Sequence, residues 1–180
     1  EKLIKLMSEF GASFYPKNKF FFPLKLVSTD MPIGIYYKSG VSAQLKSAVI
    51  LSGLNAYGNT TIIENNKSRD HTENLLLKNS KAIKLKNGKH KLIKIYGKNV
   101  LNAFKINVPG DPSSAAFFTA LTILNQKSIL RIKNIGLNPT RIGFFKLLNK
   151  HGAKIKFQKI KKENNELRGE IIVKSSSLKP

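Results

Sequence analysis

The sequence predicts an α/β fold made of one βαβαββ module used twice, and three observations carry that reading. Apolar residues alternate with lysines at the period of a strand, as in Ile83-Lys84-Leu85-Lys86 and Lys154-Ile155-Lys156, which gives each strand one wet face. Between such runs lie capped segments with helical spacing. The order of elements then recurs about 70 residues further on, laying Ser42 over Ser113, Arg69 near Arg141 and Ala82 over Ala153.

Along the chain, residues 1–11 place Leu3, Ile4, Leu6, Met7 and Phe10 on one helical stripe, with Gly11 as its stop. Residues 20–26 and 33–37 read as strands on either side of the turn-rich Ser28-Thr29-Asp30-Met31-Pro32. A well-buried helix is expected over 41–54, where Ala43, Leu45, Ala48, Val49 and Leu51 are small or apolar and Ser42 starts the first turn. A strand at 60–64, a loop at 65–68, a helix at 70–78 and strands around Ile83 and over 92–96 complete the first copy. The second copy runs from a strand at 104–108 through Pro109-Gly110-Asp111-Pro112 into a helix over 113–124. A strand at 128–132, a helix at 139–151 and strands near 153–157 and 170–173 follow, with the polar run 161–166 as a hairpin turn. Pro-Gly-Asp-Pro marks the expected boundary, so residues 1–107 form one part and 108–180 another.

Composition removes several function classes. The chain has 180 residues, 41% of them hydrophobic, enough for one ordinary domain or two small ones. Zero cysteines exclude disulfides, a thiol nucleophile and thiolate metal sites, and His71, His90 and His151 are too scattered for a histidine metal site. No metal or organic cofactor is expected. No apolar run approaches the roughly 18 residues of a membrane-spanning helix, and Glu1 opens inside an apparent helix, so a cytoplasmic protein with no membrane partner is expected. The formal charge of +22 raises a nucleic-acid reading. Arginine stands only at 69, 131, 141 and 168, however, and the lysines fall on the wet faces of strands, which is the signature of a compositional preference. A nucleic-acid partner is therefore not expected, although the charge helps attract small anions.

Two loop-to-helix junctions carry candidate chemistry. Gly40-Val41-Ser42-Ala43-Gln44-Leu45-Lys46-Ser47 puts a hydroxyl, free backbone N–H groups and a glutamine amide at a helix N-terminus, where the dipole favours an oxyanion. Alternatively Ser42 only caps its own helix while Lys46 and Ser47 face solvent. Ser68-Arg69-Asp70-His71-Thr72-Glu73 contains the only arginine of the first half, whose planar fork can grip a phosphate through two hydrogen bonds. Alternatively Ser68 or Asp70 caps the helix, Glu73 completes a capping box and Arg69 is a surface charge. His71 reads as a packing or capping residue. In the second copy, Asp111 or Ser113 is expected to cap one helix, and Asn138 followed by Pro139 the next.

Four segments in this order resemble the 5-enolpyruvylshikimate-3-phosphate synthases over nearly the whole chain: Val41-Ser42-Ala43-Gln44 with Lys46-Ser47-Ala48; Ser68-Arg69-Asp70-His71-Thr72-Glu73; Val108-Pro109-Gly110-Asp111-Pro112-Ser113-Ser114-Ala115-Ala116-Phe117; and Gly136-Leu137-Asn138-Pro139-Thr140-Arg141 with Gly143. The second resembles the bacterial branch called class II. The resemblance implies an inside-out α/β barrel fold of two globules built from βαβαββ units, here incomplete. It implies transfer of the enolpyruvyl group of phosphoenolpyruvate to the 5-hydroxyl of 3-phosphoshikimate, with release of phosphate and no cofactor, by a protein that is monomeric at full length. By the same resemblance Ser42, Ala43, Gln44, Ser68 and Arg69 hold 3-phosphoshikimate, and Gln44 also meets phosphoenolpyruvate. Family members are more than twice this length. The family's catalytic aspartate has no counterpart here, so this chain reads as an internal fragment that is inactive alone. The alternatives are the related transferase acting on UDP-N-acetylglucosamine, which typically uses a cysteine, and a basic nucleic-acid-binding protein.

Overall fold

Apolar alternation predicts strands, and backbone hydrogen bonds sort them, in a computed structural model that describes residues 1–180 apart from the side chain of Asn79. The chain divides into two compact units, Glu1–Ala103 and Phe104–Pro180.

The first unit begins with α1 (Lys2–Glu9), which Gly11 ends at a φ of 101° that suits glycine. A short antiparallel pair, β1 (Ser13–Tyr15) and β2 (Lys25–Val27), follows. The module itself is β3 (Tyr36–Ser39), α2 (Ala43–Asn55), β4 (Asn59–Glu64), α3 (His71–Asn79), β5 (Ile83–Lys86) and β6 (Lys91–Tyr96). Its strands lie in the order β3-β4-β6-β5, with β3 parallel to β4 and the other pairs antiparallel. Alternation puts Ile62, Ile93 and Ile95 on the inner face, each fully buried under Val49 and Ile50 of α2. Gly53 lets that helix come close to β4, because a Cβ there would stand 2.9 Å from Thr60 Cβ.

The second unit repeats the plan with α4 (Pro112–Leu124), β7 (Ile129–Gly136), α5 (Gly143–Lys150), β8 (Lys154–Glu163) and β9 (Glu166–Lys174), in the sheet order β7-β9-β8. Phe145, Ile171 and Val173 are fully buried at its centre, and Phe145 meets Phe157 edge-on at 6.3 Å between ring centroids. The β8–β9 hairpin closes through Asn164 and Asn165 at φ 49° and 61°, the left-handed pair that a two-residue turn requires. The expected α/β fold is therefore present, with open sheets and no closed barrel among the described residues.

Several expected elements differ. Residues 104–108 form no strand, although Phe104, Ile106 and Val108 alternate with polar residues: all three stay exposed, and only Gly110 bridges to Ile135. Of residues 20–26 only the last two are in a strand, since three successive phenylalanines cannot share one face and Pro23 lacks an N–H to donate. The strand expected over 33–37 begins at Tyr36. Asn138 does not cap a helix: its side chain accepts from the Thr140 amide at 2.9 Å and hydroxyl at 2.6 Å, a local turn that delays α5 to Gly143. The cap of α4 is Asp111, not Ser113, so Ser42 aligns with Asp111 when the helices are matched.

Candidate anion-binding site

Helical spacing gives α2 two different faces. Gln44, Ser47, Ala48 and Leu51 recur at intervals of three and four residues and form one wall of an open cleft of about 460 Å³. Arg69, His71 and Thr72, from the loop and first turn of α3, form the facing wall. The Ser47 and Thr72 hydroxyls meet at 2.8 Å and join the two walls. On its other face α2 buries Lys46, Val49, Ile50 and Gly53.

The structure brings Ala43, Gln44 and Arg69 together at this cleft. Ser42 caps α2, its hydroxyl accepting from the Leu45 amide at 3.3 Å and pointing to Gln44 Oε1 at 3.4 Å. Ser68 is buried behind the cleft, its amide and hydroxyl donating to Glu64 Oε1 at 3.0 and 2.8 Å. Among the described residues no ion pair engages Arg69, which sits half-buried two positions before α3. A guanidinium without an acid, facing the first turn of α2, is the arrangement that takes an oxyanion.

Beneath the cleft lies a charged cluster that sequence reasoning missed. Lys46 Nζ contacts Glu64 Oε1 and Glu73 Oε1, both at 2.7 Å, and all three side chains are essentially inaccessible. Lys91, paired across the sheet with Glu64, reaches that residue at 3.5 Å and Glu73 at 3.4 Å, so two lysines balance two carboxylates. Lys46 thus faces inward rather than to solvent, and Glu73 completes no capping box. Burial alone would raise the Glu64 pKa, but hydrogen bonds from Lys46 and Ser68 outweigh it and hold the carboxyl below its ordinary value. The sequence signal for Lys46 is its place on the stripe of Ile50 and Gly53, where a lysine needs a buried acid.

The second unit carries the same pieces in a different state. Arg141 also stands two residues before its helix, yet its guanidinium reaches Asp111 Oδ1 at 2.5 Å and Ser113 Oγ at 2.8 Å at the start of α4. There the protein's own carboxylate engages the arginine, a partner that Arg69 lacks among the described residues.

A model of the EPSP synthase family, described as 3-phosphoshikimate 1-carboxyvinyltransferase, matches residues 1–179. The chain belongs to the EPSP synthase family. The 3-phosphoshikimate 1-carboxyvinyltransferase of Petrotoga mobilis is 42% identical over 99% of this chain and 41% of its own length. That of Bacillus subtilis is 44% identical over 88% of the chain and 36% of its own length. The chain therefore spans about two fifths of the length of such relatives. The EPSP synthase of Acinetobacter baumannii superposes with a TM-score of 0.80 at 31% identity, covering 99% of this chain and 40% of that one. The enolpyruvyl transferase NikO of Streptomyces tendae gives 0.71 at 14% identity, over 97% of this chain and 42% of its own, and shares the fold alone.

Proposed function

We propose that this chain contributes the 3-phosphoshikimate subsite of a 3-phosphoshikimate 1-carboxyvinyltransferase, in which the enolpyruvyl group of phosphoenolpyruvate passes to the 5-hydroxyl and phosphate leaves. The observation that carries the proposal is Arg69, unpaired among the described residues at the cleft while Arg141 is neutralised by Asp111 at the matching place. Arg69 grips the phosphate of 3-phosphoshikimate, Gln44 orients the ligand and the neighbouring phosphoenolpyruvate, and Ala43 offers its backbone and a small side chain at the helix start. Ser42 and Ser68 hold these groups in place through their own hydrogen bonds. The two units belong, in this reading, to the two globules of the whole protein. The setting is the cytoplasm and the whole protein a monomer; no helix among the described residues is long and apolar enough to cross a membrane.

The test is a calorimetric titration of the chain with 3-phosphoshikimate. Binding is expected, and Arg69→Ala is expected to weaken it roughly tenfold to a hundredfold, the worth of hydrogen bonds to a charged group. Equal affinity of the two proteins would overturn the assignment. Tight binding of duplex DNA with a steep salt slope, indifferent to Arg69→Ala, would favour the nucleic-acid reading instead.

A further inference from the structure

The cleft has two walls on separate pieces of chain, and its use depends on their spacing. α2 supplies Gln44 and Ser47; the loop after β4 and the first turn of α3 supply Arg69 and Thr72. At the cleft the walls meet directly where the Ser47 and Thr72 hydroxyls stand 2.8 Å apart. The stronger tie lies one layer down. Lys46, next to Ser47, grips Glu73, next to Thr72, at 2.7 Å, and the same ammonium holds Glu64, the last residue of β4. Glu64 in turn accepts the Ser68 amide and hydroxyl, which sets the path of the backbone into Arg69. Lys46, Glu73 and Ser68 are the immediate neighbours of Ser47, Thr72 and Arg69, all of which line the cleft.

Stability does not explain the cluster. Desolvating two ion pairs costs about as much as their attraction returns, and well-packed apolar residues serve as well or better. The second unit shows the apolar solution at the matched places. Ala115 is the fourth residue of α4 as Lys46 is of α2, and Phe145 the third residue of α5 as Glu73 is of α3; all four are buried.

We propose that Lys46 and Glu73 are positioning residues of the anion site: with Glu64 and Lys91 they fix the separation between the helix face that carries Gln44 and the loop that carries Arg69. Neither touches the ligand. The proposal rests on the substrate reading above for its ligand, but not for its geometry.

The experiment is the full chain with Lys46→Met and Glu73→Met combined, which removes one buried charge of each sign and leaves Glu64 with Ser68 and Lys91. The melting temperature is expected to stay within about 3 °C of the parent, since an apolar pair replaces an ionic one. The affinity for 3-phosphoshikimate is expected to fall about tenfold, and amide hydrogen exchange over residues 65–70 to quicken. Preserved affinity together with preserved exchange would show a cluster that only fills space and would overturn the proposal. Should the double variant not fold, Lys91→Gln replaces it. That side chain is partly exposed, touches both carboxylates and lies outside the cleft lining. A smaller loss of the same kind is then expected, and none overturns the proposal. If the parent protein binds no 3-phosphoshikimate, the substrate reading fails by itself. Exchange at 65–70 then decides the positioning role, and unchanged exchange refutes it.

Discussion

The two modules solve one packing problem in two ways. Both place a capped helix over a sheet, a second helix beside it and an arginine two residues before that second helix. In the first, the contact beneath the helices is Lys46, Glu64, Glu73 and Lys91; in the second it is Ala115, Phe145 and their apolar neighbours. The first caps with Ser42 and leaves Arg69 without an acid among the described residues, whereas the second caps with Asp111 and satisfies Arg141 internally. The difference teaches that burial alone does not demand charge at these places. The charged solution accompanies the module whose arginine has no acid among the described residues, and the apolar one accompanies the module that supplies an acid to its own.

The largest test of that contrast is truncation of the buried lysine. Lys46→Ala leaves two carboxylates with one partly exposed lysine between them and is expected to cost the first unit about 3–5 kcal/mol. All the tyrosines, at 15, 36, 37, 57 and 96, lie in that unit and the chain has no tryptophan, so tyrosine emission during urea unfolding reads it selectively. A cost under about 1 kcal/mol would mean that the cluster is not dry and would break the comparison.

Acid comes next, because it titrates one carboxylate without deleting a side chain. The Glu64 pKa is held below its ordinary value of 4.5, so its contribution is full above that pH and is lost as pH falls through the lower folded value. The first unit should therefore weaken below about pH 4.5, and Glu64→Gln should flatten that part of the profile. An unchanged profile in the variant would assign the acid sensitivity to other groups.

The smallest effect sharpens the contrast from the other side. Asp111→Ala removes a helix cap and should cost about 1 kcal/mol. It also frees Arg141, so inorganic phosphate should stabilise this variant more than the parent in thermal melts. Equal stabilisation would show that the second module's arginine is not a counterpart of Arg69.

Much of this was legible before any coordinates. Ser42 as a cap and the buried α2 follow from residue types whose preferences are local, and the placing of Arg69 near Arg141 follows from the repeat. What stayed hidden depends on partners distant in the chain. Lys46 looks like a surface lysine because Glu64 and Glu73 lie 18 and more residues away, and only the fold brings them beneath α2. Phe104, Ile106 and Val108 alternate like a strand, yet a strand exists only where a neighbour accepts its hydrogen bonds, and before Gly110 none does so among the described residues. Asn138 and Pro139 carry helix-start chemistry, but the asparagine spends its side chain on Thr140 instead.

The inaccessibility of Lys46 also has a consequence for covalent labelling. An amine reacts with an acylating reagent only when it is both deprotonated and reachable, and the other lysines of this strongly basic chain are at least partly open to water among the described residues. Lys46 alone is sealed, with its ammonium between two carboxylates. The chain therefore carries a built-in reporter: its surface amines react at once, and modification of Lys46 marks each time the first unit comes apart.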